Sequence, residues 1–196
     1  MDSKLVVFMA GPQKTGKTAI TNYLAEMSES LESNEYRPTQ GVRYPTTHSR
    51  ILEIEKKLIA DPKKGQKWRE ANVTVELWDC SGDLNLVDCW RAFSNKIHGA
   101  IFVVSADGKN DKDLDPWQEA IGLAKPNQYT IFAHKQVQSG GKTKVKPTNK
   151  VLSKSPIVYT NLDQDPESIK TEFDSFLSNI YSVYLENRER EENAIV

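Results

Sequence analysis

An α/β fold, with a mostly parallel sheet covered by helices on both faces, is what the sequence predicts, and three observations predict it. Apolar runs of strand length alternate with helical segments along the chain. Gly11 to Thr18 (GPQKTGKT) fits the phosphate-binding pattern G-x-x-x-x-G-K-[ST] on a strand-to-helix turn. A second motif, Asp79-Cys80-Ser81-Gly82, reads D-x-x-G at the end of a later strand, on the sheet edge where ligands of open α/β folds bind. With 196 residues, 38% of them hydrophobic, the chain suits one domain over residues 1–196 with a full core.

Lys4 to Ala10 (KLVVFMA) reads as a buried strand and Thr18 to Met27 (TAITNYLAEM) as the helix after it. Between them, Gly16 lets the backbone curl so that successive N–H groups, from Lys14 to Ala19, turn inward on a β-phosphate at the helix N-terminus. Lys17 adds a point charge that reaches the β- and γ-phosphates, and the Thr18 hydroxyl is placed to ligate Mg²⁺. Gly11, Gln13, Lys14, Thr15, Gly16, Lys17, Thr18 and Ala19 are therefore the candidate phosphate-binding residues. Gly141-Lys142-Thr143 resembles the motif's end, but Gln136 stands where the first glycine belongs, so it marks no second site.

Ser49 to Glu55 (SRILEIE) and Asn72 to Trp78 (NVTVELW) alternate apolar and polar residues and read as a hairpin. The stretch Lys56 to Ala71 between them carries six basic residues and reads as a solvated hairpin tip, a basic contact surface being the alternative. Gly99 to Ala106 (GAIFVVSA) and Tyr129 to His134 (YTIFAH) are central strands joined through a helix over Asp113 to Ala124. From Gln136 to Ser155 the composition turns to Gly, Lys, Thr, Ser and Pro, with five lysines and no acid, which predicts a mobile surface loop. Pro156 to Leu162 is the last strand. Asp165-Pro166-Glu167 then caps a long helix whose apolar stripe, Ile169, Phe173, Phe176, Leu177, Ile180 and Tyr184, faces the core. Residues 186–196, with the run Arg188 to Glu192, read as a solvated, charged tail.

A net charge of −1 argues against bulk attraction to nucleic acid or membrane. No apolar run reaches the length of a spanning helix, the N-terminus has no secretory pattern, and Asn193 to Val196 holds no cysteine to prenylate, so no direct membrane anchor is expected. Cys80 and Cys89 lie too far apart for a metal knuckle, and both are expected to be packed rather than reactive, in a reducing cytoplasmic setting.

The D-x-x-G motif completes the phosphate site. Asp79 is placed to hold a Mg²⁺-bound water, and the Gly82 N–H can meet a γ-phosphate because no side chain blocks the approach. Upstream, in Arg37-Pro38-Thr39-Gln40-Gly41-Val42-Arg43, Thr39 is the hydroxyl best placed to close over Mg²⁺ and γ-phosphate, so Thr18, Thr39 and Asp79 form the candidate metal set.

These residues together resemble the Ras-like small GTPases. Pro38 to Arg43 (PTQGVR), Trp78 to Asp83 (WDCSGD), Cys89-Trp90 and His98-Gly99 look like the Rab-like GTPase subunit of the intraflagellar transport B complex, the Rab-like five family. The likeness covers most of the chain. It implies a Ras-like P-loop GTPase fold with a six-stranded, mostly parallel sheet, and binding of GTP or GDP with Mg²⁺. It also implies docking onto coiled-coil subunits of the transport complex, in the cytoplasm and in the cilium or flagellum.

Two departures from ordinary small GTPases shape the expected activity. Asp83 follows D-x-x-G where a Gln usually orients the attacking water; a carboxylate beside a γ-phosphate repels it and cannot donate as an amide does, so hydrolysis should be slow. The base-reading N-K-x-D motif is replaced by His134-Lys135-Gln136-Val137. Lys135 keeps an aliphatic stem that can cover a base, but Val137 cannot accept its hydrogen bonds, and Asn161 in Thr160-Asn161-Leu162 is left as a base-reading candidate with His134 and Lys135. A GTP-binding scaffold, a P-loop ATP-binding NTPase or kinase, and a structural pseudo-GTPase thus stand as alternatives. Tyr36, Arg37, Arg43 and Tyr44 before the second strand, and Leu84, Leu86 and Trp90 after Gly82, are the candidate interface anchors, Leu86 and Trp90 being equally placed to face the core.

Overall fold

In a computed structural model, which describes residues 3–26, 51–60, 69–106, 114–135 and 145–194, six strands share one sheet. In chain order they are β1 (Ser3–Ala10), β2 (Ile51–Ala60), β3 (Arg69–Asp79), β4 (Gly99–Ser105), β5 (Tyr129–His134) and β6 (Ile157–Thr160). Across the sheet the order is β2-β3-β1-β4-β5-β6, antiparallel only between β2 and β3. The helices are α1 (Lys17–Leu24), α2 (Val87–Arg91), α3 (Asp115–Ile121) and α4 (Pro166–Ala194). The six-stranded, mostly parallel α/β sheet is the one expected.

Pleating divides the core between two faces. Along β1, Val6, Phe8 and Ala10 join Trp78, Trp90, Phe102, Trp117 and Tyr129 on the side of α2 and α3. Leu5, Val7 and Met9 join Ile20, Leu77, Ile101, Phe132, Phe173 and Leu177 on the side of α1 and α4. Every stripe residue foreseen on α4 is buried except Tyr184, which packs partly buried beside Tyr181. Asp165 Oδ1 accepts the Ser168 N–H at 3.2 Å, the cap expected before Pro166. Lys56 Nζ reaches Asp174 Oδ1 at 2.8 Å and fastens β2 to α4.

The structure redraws several boundaries. The hairpin strands run much further than expected, pairing Ile51↔Trp78 through Ala60↔Arg69, so most of the described part of Lys56 to Ala71 is ladder rather than tip. Alternation continues in it, with Lys56 half-buried, Lys57 exposed and Leu58 buried. Residues 61–68 lie outside the described residues. Likewise, Val145 and Leu152, in the stretch read as a mobile loop, are buried in the core. Asn149 Oδ1 accepts from the N–H groups of Val151 (2.8 Å) and Leu152 (3.2 Å), holding a 3₁₀ turn over Leu152–Lys154. Two apolar residues among many polar ones sufficed to seat the segment, which composition hides. Residues 136–144 lie outside the described residues. The charged run after Glu186 is helical through Ala194, held by the Arg188–Glu192 pair at 3.2 Å. Cys80 is buried as expected, but Cys89 is exposed. Among the described residues, no helix is long and apolar enough to cross a membrane.

Candidate functional site

All five parallel strands end at the same edge, and register brings the two motifs together there. Met9 pairs with Asp79, and the Cys80 N–H donates to Met9 O at 3.0 Å. The chain leaves β1 at Gly11 with φ +120°, a region that disfavours side chains, and a Cβ there would meet Val103 O at 2.6 Å. Gly16, φ +94°, is the N-cap of α1, and its carbonyl accepts the first helical bond from Ile20 at 3.0 Å. Lys14 also adopts a left-handed conformation, φ 60°. The turn from Gly11 to Thr18 thus curls as the motif requires, with the start of α1 at its centre.

Pro12, which the pattern treats as a free position, supplies the brace. Its carbonyl accepts from Thr15 Oγ1 at 3.0 Å and from Lys17 Nζ at 2.6 Å, and Thr15 and Lys17 are both buried. Burial pushes the Lys17 ammonium down to about 8, opposed by the Asp79 carboxylate. Burial also pushes the Cys80 thiol well up, so it is neutral and Asp79 is the charge that Lys17 faces.

Thr18 Oγ1 donates to Asp79 Oδ2 at 2.6 Å, so residues 61 apart in sequence converge at the mouth of the turn. A hydroxyl and a carboxylate are hard oxygen donors of the kind Mg²⁺ takes alongside phosphate and water, so the residues fit that ion. Gly82 lies against the turn. A Cβ on it would clash with Gln13 N and come within 2.7 Å of Pro12 C and 2.8 Å of Gln13 Cα, all backbone atoms. Its missing side chain therefore serves the approach of two loops. Asp83 has a role the sequence did not show. Its Oδ1 accepts the Asn85 N–H at 3.0 Å and its own N–H donates to Ser81 Oγ at 3.2 Å, which sets the 3₁₀ turn leading into α2. Aspartate is suited to that turn and glutamine is not.

The base-reading candidates are placed differently from expectation. His134, at the end of β5, is buried, with Nδ1 3.1 Å from Thr160 Oγ1, and burial lowers its basicity. The ring joins β5 to β6 and is not presented to a ligand. Asn161 Oδ1 accepts from Asp163 N (2.8 Å) and Gln164 N (3.0 Å), so the carbonyl end of its amide already closes a turn. Lys135, half-buried, follows His134 and donates its N–H to Thr160 O at 2.9 Å. Trp90 is wholly buried and stacks on Trp117, so it is core and not an interface anchor; Leu86 is half-buried and Leu84 exposed. Thr39, Tyr36, Arg37, Arg43 and Tyr44 lie outside the described residues.

No family model matches the chain. It is similar to the intraflagellar transport protein 22 homologs of Xenopus tropicalis (34% identical over 197 residues), Homo sapiens (33% over 198) and Danio rerio (32% over 198), each alignment covering 98% of both proteins. Among solved structures, the GDP-bound T. brucei IFT22 crystal structure matches with TM-score 0.64 at 22% identity, covering 92% of this chain and 98% of that one. The GTP-bound T. brucei IFT22/74/81 crystal structure matches with TM-score 0.68 at 23% identity, covering 95% and 99%. The structural likenesses carry the fold, and the near full-length identities carry the relationship: the chain belongs to the intraflagellar transport protein 22 family.

Proposed function

We propose that this protein is a Rab-like, guanine-nucleotide-binding subunit of the intraflagellar transport B complex. In this reading it holds GTP or GDP with Mg²⁺, hydrolyses GTP slowly, and docks on coiled-coil subunits of the complex in the cilium or flagellum. The observation that carries the nucleotide site is the Thr18–Asp79 contact at 2.6 Å, at the mouth of a turn whose glycines and lysine are arranged for phosphate. Lys17 and the N–H groups from Lys14 to Ala19 bind the phosphates, Thr18 and Asp79 hold the metal, and Thr39 joins them from outside the described residues. The GDP-bound and GTP-bound crystal structures of T. brucei IFT22 support guanine as the base. Lys135 covers the base here, with the Asn161 amide or the backbone near it reading its edge.

Asp83 makes turnover slow. Its carboxylate stands where a water-orienting amide would act, and the Asn85 N–H holds it in the turn. The protein is thus suited to a long-lived loaded state rather than a fast cycle. Docking is supported by the T. brucei complex of IFT22 with 74 and 81, and Arg37, Arg43 and the exposed Leu84 are the proposed contacts. Chromatography of the nucleotide released on denaturing the purified protein tests the reading. GTP or GDP is expected; ATP or ADP would overturn the base assignment, and an empty site with no measurable affinity would overturn the site.

A further inference from the structure

The sheet ends at β6, and among the described residues no strand pairs with its outer edge. Ile131 N–H donates to Pro156 O and Lys135 N–H to Thr160 O, both at 2.9 Å, so the even-numbered residues of β6 face β5. Since N–H and C=O of one strand residue point to the same side, Ile157 and Tyr159 turn theirs away from the sheet. Neither residue's backbone makes a hydrogen bond among the described residues. The Tyr159 side chain is 53% exposed, and it and Leu84 are the exposed large hydrophobics among the described residues. Its hydroxyl meets the Val145 N–H at 3.4 Å, which stands the ring beside the segment leading into the strand.

That segment is uniformly basic. Between Val145 and Thr160 lie Lys146, Lys150 and Lys154, all exposed, and no carboxylate. Lys150 and Lys154 form no ion pair among the described residues. Free edges are ordinarily blunted by charges or prolines on the strand itself. Here the strand carries an exposed tyrosine, and the lysines precede it in the sequence.

We propose that the β6 edge is a docking site for an extended acidic segment of a partner chain, which adds a strand outside β6. The N–H and C=O groups of Ile157 and Tyr159 pair with its backbone, the Tyr159 ring packs against an apolar side chain, and Lys150 and Lys154 meet its carboxylates. Only two residues offer outward backbone groups, so charge supplies a large part of the affinity, and binding weakens with salt. The site uses none of the residues of the phosphate turn.

The probe is a fluorescein-labelled peptide alternating glutamate and valine, with a lysine–valine peptide as its counterpart, titrated into the full chain and read by anisotropy. The acidic peptide is expected to bind and the basic one not. Tyr159→Pro removes an outward N–H without touching the bonds to β5, and is expected to abolish binding while bound nucleotide and far-UV circular dichroism are unchanged. Should that variant misfold, Tyr159→Ala, which keeps the backbone, is expected to weaken binding, as is Lys150→Glu with Lys154→Glu, by about tenfold or more. Failure of the acidic peptide to bind, equal binding of the basic peptide, or binding unmoved by the Tyr159 and lysine variants would overturn the proposal.

Discussion

Nucleotide affinity should fall as pH rises from 7 to 9, and Lys17 is the reason. In the free protein, burial lowers its pKa from the ordinary 10.5 to about 8, although its ammonium donates to Pro12 O and faces Asp79. Phosphate oxygens arriving beside it favour the charged form and restore its proton. The sign follows from linkage: above pH 8 the free protein has lost a proton that the bound state holds, so binding takes one up and weakens with rising pH. If the bound-state pKa returns to its ordinary range, affinity at pH 9 is about tenfold below that at pH 7, or about 1.4 kcal/mol. At pH 8.5 binding should take up roughly three-quarters of a proton. His98 and His134, both lowered by burial, are neutral throughout this window, and terminal phosphates are already ionised near pH 7. Calorimetry at pH 8.5 in two buffers of different ionisation enthalpy counts the proton directly. No proton uptake, together with flat affinity to pH 9, would refute the placement of Lys17 as the buried phosphate partner. Free-protein stability should move oppositely, rising between pH 8 and 10.5, because the unfolded chain there holds the proton the folded chain has released.

Other perturbations separate the parts of the site from the fold. Gly82→Ala drives a Cβ into the Pro12 and Gln13 backbone, so it should cost about 1–3 kcal/mol of nucleotide affinity, measured with a fluorescent nucleotide, and wild-type affinity would show that the loops do not touch as described. Asp83→Gln should raise single-turnover GTP hydrolysis by supplying the amide, whereas Asp83→Asn, which can still accept from Asn85, should raise it less; equal rates in all three would mean another missing group is limiting. Gly99→Ala places a Cβ 2.8 Å from Ile180 Cγ2 and Phe176 Cζ, and should lower the melting temperature by several degrees with unchanged nucleotide affinity, since Gly99 starts β4 at the sheet edge opposite the site. Thr18→Asn should weaken Mg²⁺ and nucleotide binding together, and a loss of one alone would separate the metal role from the phosphate role.

What was legible in the sequence and what was not divide along a physical line. Strand cores such as Tyr129–His134 were legible because burial on both faces leaves a continuous apolar run, and the α4 stripe because burial at helical spacing leaves a period in residue type. The phosphate turn was legible for a different reason: left-handed backbone at Gly16 and the close approach at Gly11 admit almost nothing but glycine. Pro12 braces Thr15 and Lys17 through a backbone carbonyl, which every residue has, so no residue type announces it. The same holds for Val103, whose carbonyl sets the need for Gly11. His134 and Asn161 were read as ligand groups because their types are polar, but the register of β5 on β6 puts Thr160 beside His134, and the turn after β6 takes the Asn161 carbonyl. Which polar group is free for a ligand is a question of which neighbour reaches it first, and neighbours come from topology.

Asp83 shows how the two kinds of information combine. Its position after Gly82 marks a carboxylate where an amide is needed, which is a statement about chemistry. Its bond to Asn85 shows the carboxylate fixed in a turn that glutamine would not close, which is a statement about folding. A residue whose side chain starts the approach to α2 is not free to serve the water-orienting role as well. In the proposed reading, slow hydrolysis follows from how the chain enters α2, and restoring turnover at position 83 should carry a cost in the order of that turn.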